Sequence, residues 1–344
     1  MSGAGQIVRI NPAAGIPGGE VVIECEDFDT SNLRSCSAWF GGVRAQLVGA
    51  SPRRVLAIVP EVEAADGQVE VVLESEGHRR SAPAPFVVGA KLAEDLHPVA
   101  NPAFDPDDGS LYVTRSGPRG QQLPVTIFRI DTEGAIDAYS GDITNPTGIA
   151  FDNSGQMFVT SRMDGTVYRL NAFKEATTFA DNLGVATGLA FDQAGRMYVG
   201  DRTGTIYRIN GIGEEQSWAQ LEPSVSAYHL AFSPDDQLYV TGPTVSSFDS
   251  VMRINQSGDA NVFYRGLGRP QGLAFDRDSN LYVAASVHGR RGIVRISPDG
   301  SEAEMAVAGM NVVGLAFSAA GDMAVATNEA VYSLPLGIRG TILK

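Results

Sequence analysis

Basic residues are scarce in this chain, cysteines are nearly absent, and apolar runs are short. Lys and Arg number 26 against 40 Asp and Glu, a net charge of −14. Phosphate recognition needs clustered cations. Nucleic acid is therefore excluded as a general partner, and an anionic membrane surface with it. No apolar stretch approaches the roughly 20 residues a membrane-crossing helix requires. The opening Met1-Ser2-Gly3-Ala4-Gly5-Gln6 lacks the charged and apolar regions of a signal peptide. The expectation is a cytoplasmic protein as the sequence stands, or a secreted one if a leader has been trimmed away. Two cysteines, Cys25 and Cys36, do not make a disulfide framework. They read as two half-buried thiols or as one local bridge. The four histidines, at 78, 97, 229 and 288, are too scattered for a zinc motif. Long helical patterns are missing as well.

Glycine is plentiful, at 39 residues, and much of it recurs in one phrase. Gly148-Ile149-Ala150-Phe151-Asp152, Gly188-Leu189-Ala190-Phe191-Asp192 and Gly272-Leu273-Ala274-Phe275-Asp276 are close copies. Gly314-Leu315-Ala316-Phe317-Ser318, Asn101-Pro102-Ala103-Phe104-Asp105 and His229-Leu230-Ala231-Phe232-Ser233 are altered ones. The phenylalanines are spaced by 47, 40, 41, 43 and 42 residues. A period of about 40–45 with four strands per unit is the signature of a propeller blade.

Each unit reads as four strands. The phrase is the first. The second is Leu111–Thr114, Met157–Thr160, Met197–Gly200, Leu238–Thr241, Leu281–Ala284 and Met323–Ala326. The third carries a repeated arginine, at 129, 169, 208, 253 and 295. That arginine reads as a structural ladder rather than a binding groove. The first strand is apolar throughout because both faces of a blade meet a neighbour. The Asp after the phenylalanine precedes a glycine turn, where a short carboxylate can bond the turn backbone. A calcium site is the other reading of it. The last unit ends soon after its third strand, so residues 90–96 are expected to complete it. Across residues 91–344 the pattern resembles the six-bladed propellers of the NHL and SMP-30/gluconolactonase class.

Residues before 90 differ. Short strands at 8–12-residue spacing, such as Glu20–Glu24, Ser37–Phe40, Arg54–Val59 and Gly67–Leu73, are punctuated by Gly and Pro and read as a β-sandwich. Pro12, Gly18-Gly19-Glu20-Val21, Phe28, Phe40-Gly41-Gly42-Val43, Val59-Pro60, Gly67 and Phe86 together resemble the IPT/TIG family of immunoglobulin-like domains. The resemblance implies an interaction or spacer module with no catalytic residues. The fold class is therefore all-β: an Ig-like sandwich over 1–89, then a six-bladed β-propeller over 90–344.

Strand order gathers two sets of loops at one end of such a ring. These are the loops entering each first strand and the hairpins between second and third strands. They supply Asn101, Asn145, Arg162, Asp201, Arg202, His229, Arg269, Gln271, His288 and Asn311 as candidate ligand-binding residues. Arg115, Arg119, Arg290 and Arg291 fall at the same end. So many cations in an acidic protein point to an anionic small molecule or acidic protein surface as partner. The bland alternative is solvated arginines pairing locally. His229 stands where the repeat has glycine, and it either fills space between blades or marks a grafted site. The lactonase resemblance implies a divalent cation, calcium or zinc, in the channel, held by Asn and carboxylate ligands. No Glu or Asp occupies an entering position here, and Asp201 is the nearest carboxylate. Two functions follow as expectations: a non-enzymatic binding protein with an Arg-rich loop face, or a metal-dependent lactonase with an altered site.

Overall fold

The structure, a computed structural model, describes residues 5–28, 30, 33–75, 79–118, 121–245 and 249–341. Among them all regular structure is β. Six four-stranded blades follow one another from residue 103. Their first strands, Ala103–Phe104, Pro146–Phe151, Ala186–Phe191, His229–Phe232, Leu273–Phe275 and Val312–Phe317, each touch the next, and the last touches the first. The ring is thus closed. The fourth strand of blade 6 comes from the other end of the chain. Ala90–Ala93 lies antiparallel to Val331–Leu334.

Two devices repeat at the seams between blades. Glycine of the phrase lets neighbouring first strands approach: a Cβ on Gly188 would sit 2.6 Å from the Tyr228 carbonyl oxygen and 3.0 Å from the His229 Cα. Next to it, an aromatic on five of the six second strands meets the phenylalanine of the following blade edge to face. The pairs are Tyr112–Phe151, Phe158–Phe191, Tyr198–Phe232, Tyr239–Phe275 and Tyr282–Phe317, with ring centroids 4.8–5.5 Å apart. Such pairs add about 0.5–1.5 kcal/mol each beyond burial.

The repeated aspartate secures its own turn. Asp152 Oδ1 accepts from the Ser154 and Gln156 amides at 2.8 and 3.0 Å. Asp276 Oδ1 does the same with Asp278 and Asn280 at 3.0 and 2.8 Å. The arginine ladder is likewise local, as in Arg129 with Asp108 at 2.9 Å and Arg295 with Glu304 at 3.0 Å.

The N-terminal residues form two sheets. One orders Gln6–Asn11, Glu20–Glu26, Arg54–Ile58 and Gln46–Ser51. The other contains Ala14–Gly15, Ala84–Val88, Gln68–Ser75, Cys36–Phe40 and Val43–Arg44. Alternate residues of both, among them Val21, Ile23, Val55, Phe40, Val71 and Phe86, share one apolar core. Cys25 and Cys36 are buried in that core as free thiols. The second sheet does not stop at the ring. Gly15 pairs in parallel with Ala308 on the outer strand of blade 5, and the Ile16 amide donates to Ala308 at 2.9 Å. Gly19 is needed there, since a Cβ would lie 2.5 Å from the Ala308 oxygen.

Candidate functional site

A cavity of about 1040 Å³ runs along the ring axis. All six first strands contribute to its wall, from Asn101 and His229 at one level to Phe104, Phe151, Phe191, Phe232, Phe275 and Phe317 at the other. At the entering end the flanking residues are shut in. Asn145, Thr147, Thr187, Tyr228 and His229 are all at most 3% exposed. At the turn end the wall includes the exposed Pro106, Asp107, Asn153, Gln193 and Ala319. The cavity therefore opens beside the first turns, and its floor lies under the entering loops.

This placement separates the cavity from most of the residues that the sequence singles out. Asn101 and His229 line it; Asn145, Arg162, Asp201, Arg202, Arg269, Gln271, His288 and Asn311 do not. Asn101 closes the floor by spanning two blades. Its Oδ1 accepts from the Leu315 amide at 3.1 Å, and its Nδ2 donates to the Leu273 carbonyl at 2.8 Å. The space it fills is the one vacated by glycine, because a Cβ on Gly272 would collide with Asn101 Oδ1. Asp201 is committed to its hairpin. It accepts from the Val185 and Thr203 amides at 2.9 and 3.1 Å and from the Thr203 hydroxyl.

Asn145, Arg269, His288 and Asn311 share a backbone property: all have φ between 47° and 55°. They occupy left-handed positions in entering loops or hairpins, a conformation that Asn tolerates better than most residues. The Gln271 carbonyl receives the Thr241 hydroxyl, and its amide donates to Ala284 at 2.8 Å. Arg162, Arg202, Arg269 and His288 are exposed, and Arg202 Nε reaches the Ser224 carbonyl at 3.3 Å. Arg290 contacts the N-terminal region through the Asn11 carbonyl at 3.1 Å. Arg119 and His78 lie outside the described residues.

His229 is 3% exposed, and its ring has no hydrogen-bond partner among the described residues. Burial disfavours the imidazolium and lowers its pKa to about 4. It is a neutral imidazole at the cavity floor. Three buried atoms elsewhere, Arg115 Nε, Asn145 Oδ1 and Thr147 Oγ1, are each without a partner among the described residues.

Charge at the cavity is of one sign. The wall carries Asp105, Asp107, Asp131, Asp152 and Asp322 and no Lys or Arg. The cavity mouth and the exposed Arg162, Arg202 and Arg269 are thus at opposite ends of the ring. A catalytic divalent cation does not fit the donor set. Among the described residues no three His, Cys, Asp or Glu side chains come together as ligands. Asn101 and Asp201, the two that a channel ion would draw on, are already engaged in hydrogen bonds within the chain, and Asp201 is not on the cavity wall. Sequence reasoning did not reach Ser318, Asp322, Leu92 and Ser333, which also line the cavity. A signal was present in the second strand of the last unit, where Ala324 replaces the aromatic of the other five.

No protein-family model matches the chain, and no curated protein sequence matches it. Solved structures do. An auxiliary nutrient binding protein from Bacteroides thetaiotaomicron superposes with a TM-score of 0.56 at 14% identity, covering 96% of this chain and 97% of that one. That span takes in the N-terminal sheets as well as the ring. A gluconolactonase from Xanthomonas campestris aligns with a TM-score of 0.58 at 18% identity, over 72% of this chain and 88% of its own. Virginiamycin B lyase from Staphylococcus aureus aligns at 0.51 and 17% identity, over 72% and 87%. At these identities the likeness is one of fold: an all-β chain built on a β-propeller.

Proposed function

We propose that this is a binding protein that holds a small molecule in the axial cavity of its ring. The observation that carries the reading is the cavity itself, about 1040 Å³, walled by Ala, Leu and Phe of six blades with one buried, unpaired imidazole at the floor. Volumes of this order suit compact ligands, with an apolar wall supplying affinity and a few polar groups supplying orientation. The likeness to a nutrient-binding protein over both parts of the chain agrees with this reading.

Residues 1–89 act in it as an Ig-like module of the IPT/TIG type, a spacer fixed to blade 5 of the ring over 90–344. Calorimetry of a Gly19→Val variant tests that division. Two transitions are expected in place of one, and a single undivided transition argues against two units.

Thermal-shift screening against a panel of small apolar compounds tests the cavity. A ligand at 100 times its Kd adds about 2.7 kcal/mol of stability, an upward shift of several degrees for a chain of this size. Ala274→Leu, which narrows the wall, is expected to abolish the shift. If every stabilising compound works equally well on that variant, the cavity is not the site. Lactone turnover supported by stoichiometric calcium or zinc would overturn the binding reading in favour of the lactonase one.

The exposed Arg202, Arg269 and Arg291 make no ion pair among the described residues. They support a second surface, for an anionic partner at the loop end. Binding there should weaken steeply with salt, and salt-independent binding would count against it.

A further inference from the structure

Five seams of the ring are filled by an aromatic pair, and the sixth is not. Between blades 6 and 1 the position of Tyr112, Phe158, Tyr198, Tyr239 and Tyr282 is taken by Ala324. The register shows the equivalence: Ala324 pairs with Ala316, as Tyr198 pairs with Ala190 and Tyr282 with Ala274. The next layer out is thinned too. Tyr112, Phe158, Tyr198 and Tyr239 each meet edge to face a ring from the fourth strand, at Tyr139, Phe179, Trp218 and Phe263, while Tyr282 faces the ringless strand Ala303–Ala308. Blade 6 has Leu92 on that strand. The axial cavity spreads into the space left over. Leu92, Phe104, Leu111, Ile130 and Ser333 line it, although most of them sit well away from the axis on second, third and fourth strands.

The five closed seams show what such a space accepts. Its inner wall in each is the phenylalanine of the following blade, and here that residue is Phe104, half-buried and without an aromatic partner among the described residues. At the outer end, two of the tyrosines bond the carboxylate of their own first turn. The Tyr198 hydroxyl meets Asp192 Oδ2 at 3.2 Å, and that of Tyr282 meets Asp276 Oδ2 at 3.3 Å. In blade 6 the first turn offers Ser318 and Asp322, both on the cavity wall and bonded to each other at 3.2 Å. The slot therefore has an apolar floor, an aromatic face on one side, and acceptors at the far end.

We infer that the seam between blades 6 and 1 is a binding slot for an aryl group bearing a hydrogen-bond donor, a phenol-type ring, on the ligand held in the axial cavity. This rests on the cavity reading above. An apolar space of roughly 150 Å³ is enough to bind a benzene-sized molecule, and offset or edge-to-face contact with Phe104 would orient it.

The probe is 4-fluorophenol, followed by ¹⁹F NMR on the full chain, with fluorobenzene as the control lacking the donor. Wild type is expected to bind both, the phenol more tightly. Ala324→Tyr, which supplies the missing ring, should raise the Kd for 4-fluorophenol at least tenfold. Ala324→Leu, a smaller filler, should weaken binding in the same direction and stands in if the tyrosine variant does not fold. Absence of binding to wild type, or unchanged binding in both variants, overturns the slot. Binding lost in Ala274→Leu but kept in Ala324→Tyr also overturns it while leaving the axial reading intact. Binding lost in Ala324→Tyr but kept in Ala274→Leu supports the slot and removes the phenol as evidence for the axis.

Discussion

The two ends of the ring invite opposite expectations. The entering end is rich in side chains capable of recognition: Asn, Arg, Gln and His in loop after loop. In the fold, those side chains and backbones mostly serve the chain itself. Asn101 bridges blades 5 and 6, Asp201 ties its hairpin to Val185, and Asn145, Arg269 and Asn311 take up left-handed backbone. The turn end carries a monotonous aspartate motif that reads as structural and is structural. Yet it is beside those turns that the cavity opens. Polar residues in a repeat mark places where the backbone has needs, whereas a place to bind appears where a repeated packing element is missing.

The contrast is broken most directly at Asn101. If its amide exists to satisfy backbone, Asn101→Ala leaves the Leu315 amide and the Leu273 carbonyl unpaired. Each unsatisfied buried group costs about 1–3 kcal/mol, so a loss of about 4 kcal/mol in urea unfolding is expected. A midpoint close to that of wild type would return Asn101 to the list of groups free to hold a ligand.

His229 comes next, and it sharpens the comparison through pH. Its folded-state pKa, about 4, lies below the ordinary 6.5 because burial penalises the charged ring. The unfolded chain takes up the proton first as pH falls, so the folded state loses ground between about 6.5 and 4 and is at full strength above that window. One unit is worth 1.36 kcal/mol, which makes the whole effect about 3 kcal/mol. His229→Leu should flatten this part of the stability–pH curve. An unaltered slope would mean that the imidazole is solvated and not held away from water by burial.

Much of this is legible in the sequence. The phrase around Phe151 and its five relatives carries both a period and an apolar inner strand, and these alone demand stacked four-stranded blades. Direction and partnership were not legible. Whether Asn101 points into solvent or across the axis depends on Gly272 and Gly314, more than 170 residues away, leaving room for it. The left-handed backbone at Arg269 cannot be seen in an arginine, because the usual signal for it is Gly or Asn. Ala324 was visible as a departure from Leu-Tyr-Val, but its meaning depends on Phe104 facing it, a contact made only when the ring closes.

The smallest test falls on Arg269, where both ends of the comparison meet in one residue. It is exposed, cationic and placed as an anion-binding group should be, yet its φ of 48° is a conformation most side chains avoid. Those two descriptions predict different outcomes for Arg269→Asn. Asn supports left-handed backbone through its short polar side chain, so a residue retained for conformation is replaced within about 0.5 kcal/mol, and any ligand in the axial cavity binds unchanged. The branched Arg269→Val does not adopt that backbone readily and should cost about 1–2 kcal/mol, the penalty for a left-handed residue with a Cβ. A pattern in which Asn and Val are equally harmless to stability, while both remove a salt-sensitive interaction, would place recognition at the loop end after all. The loop end would then carry function on residues already strained by the fold, and the open turn end would be the quieter of the two.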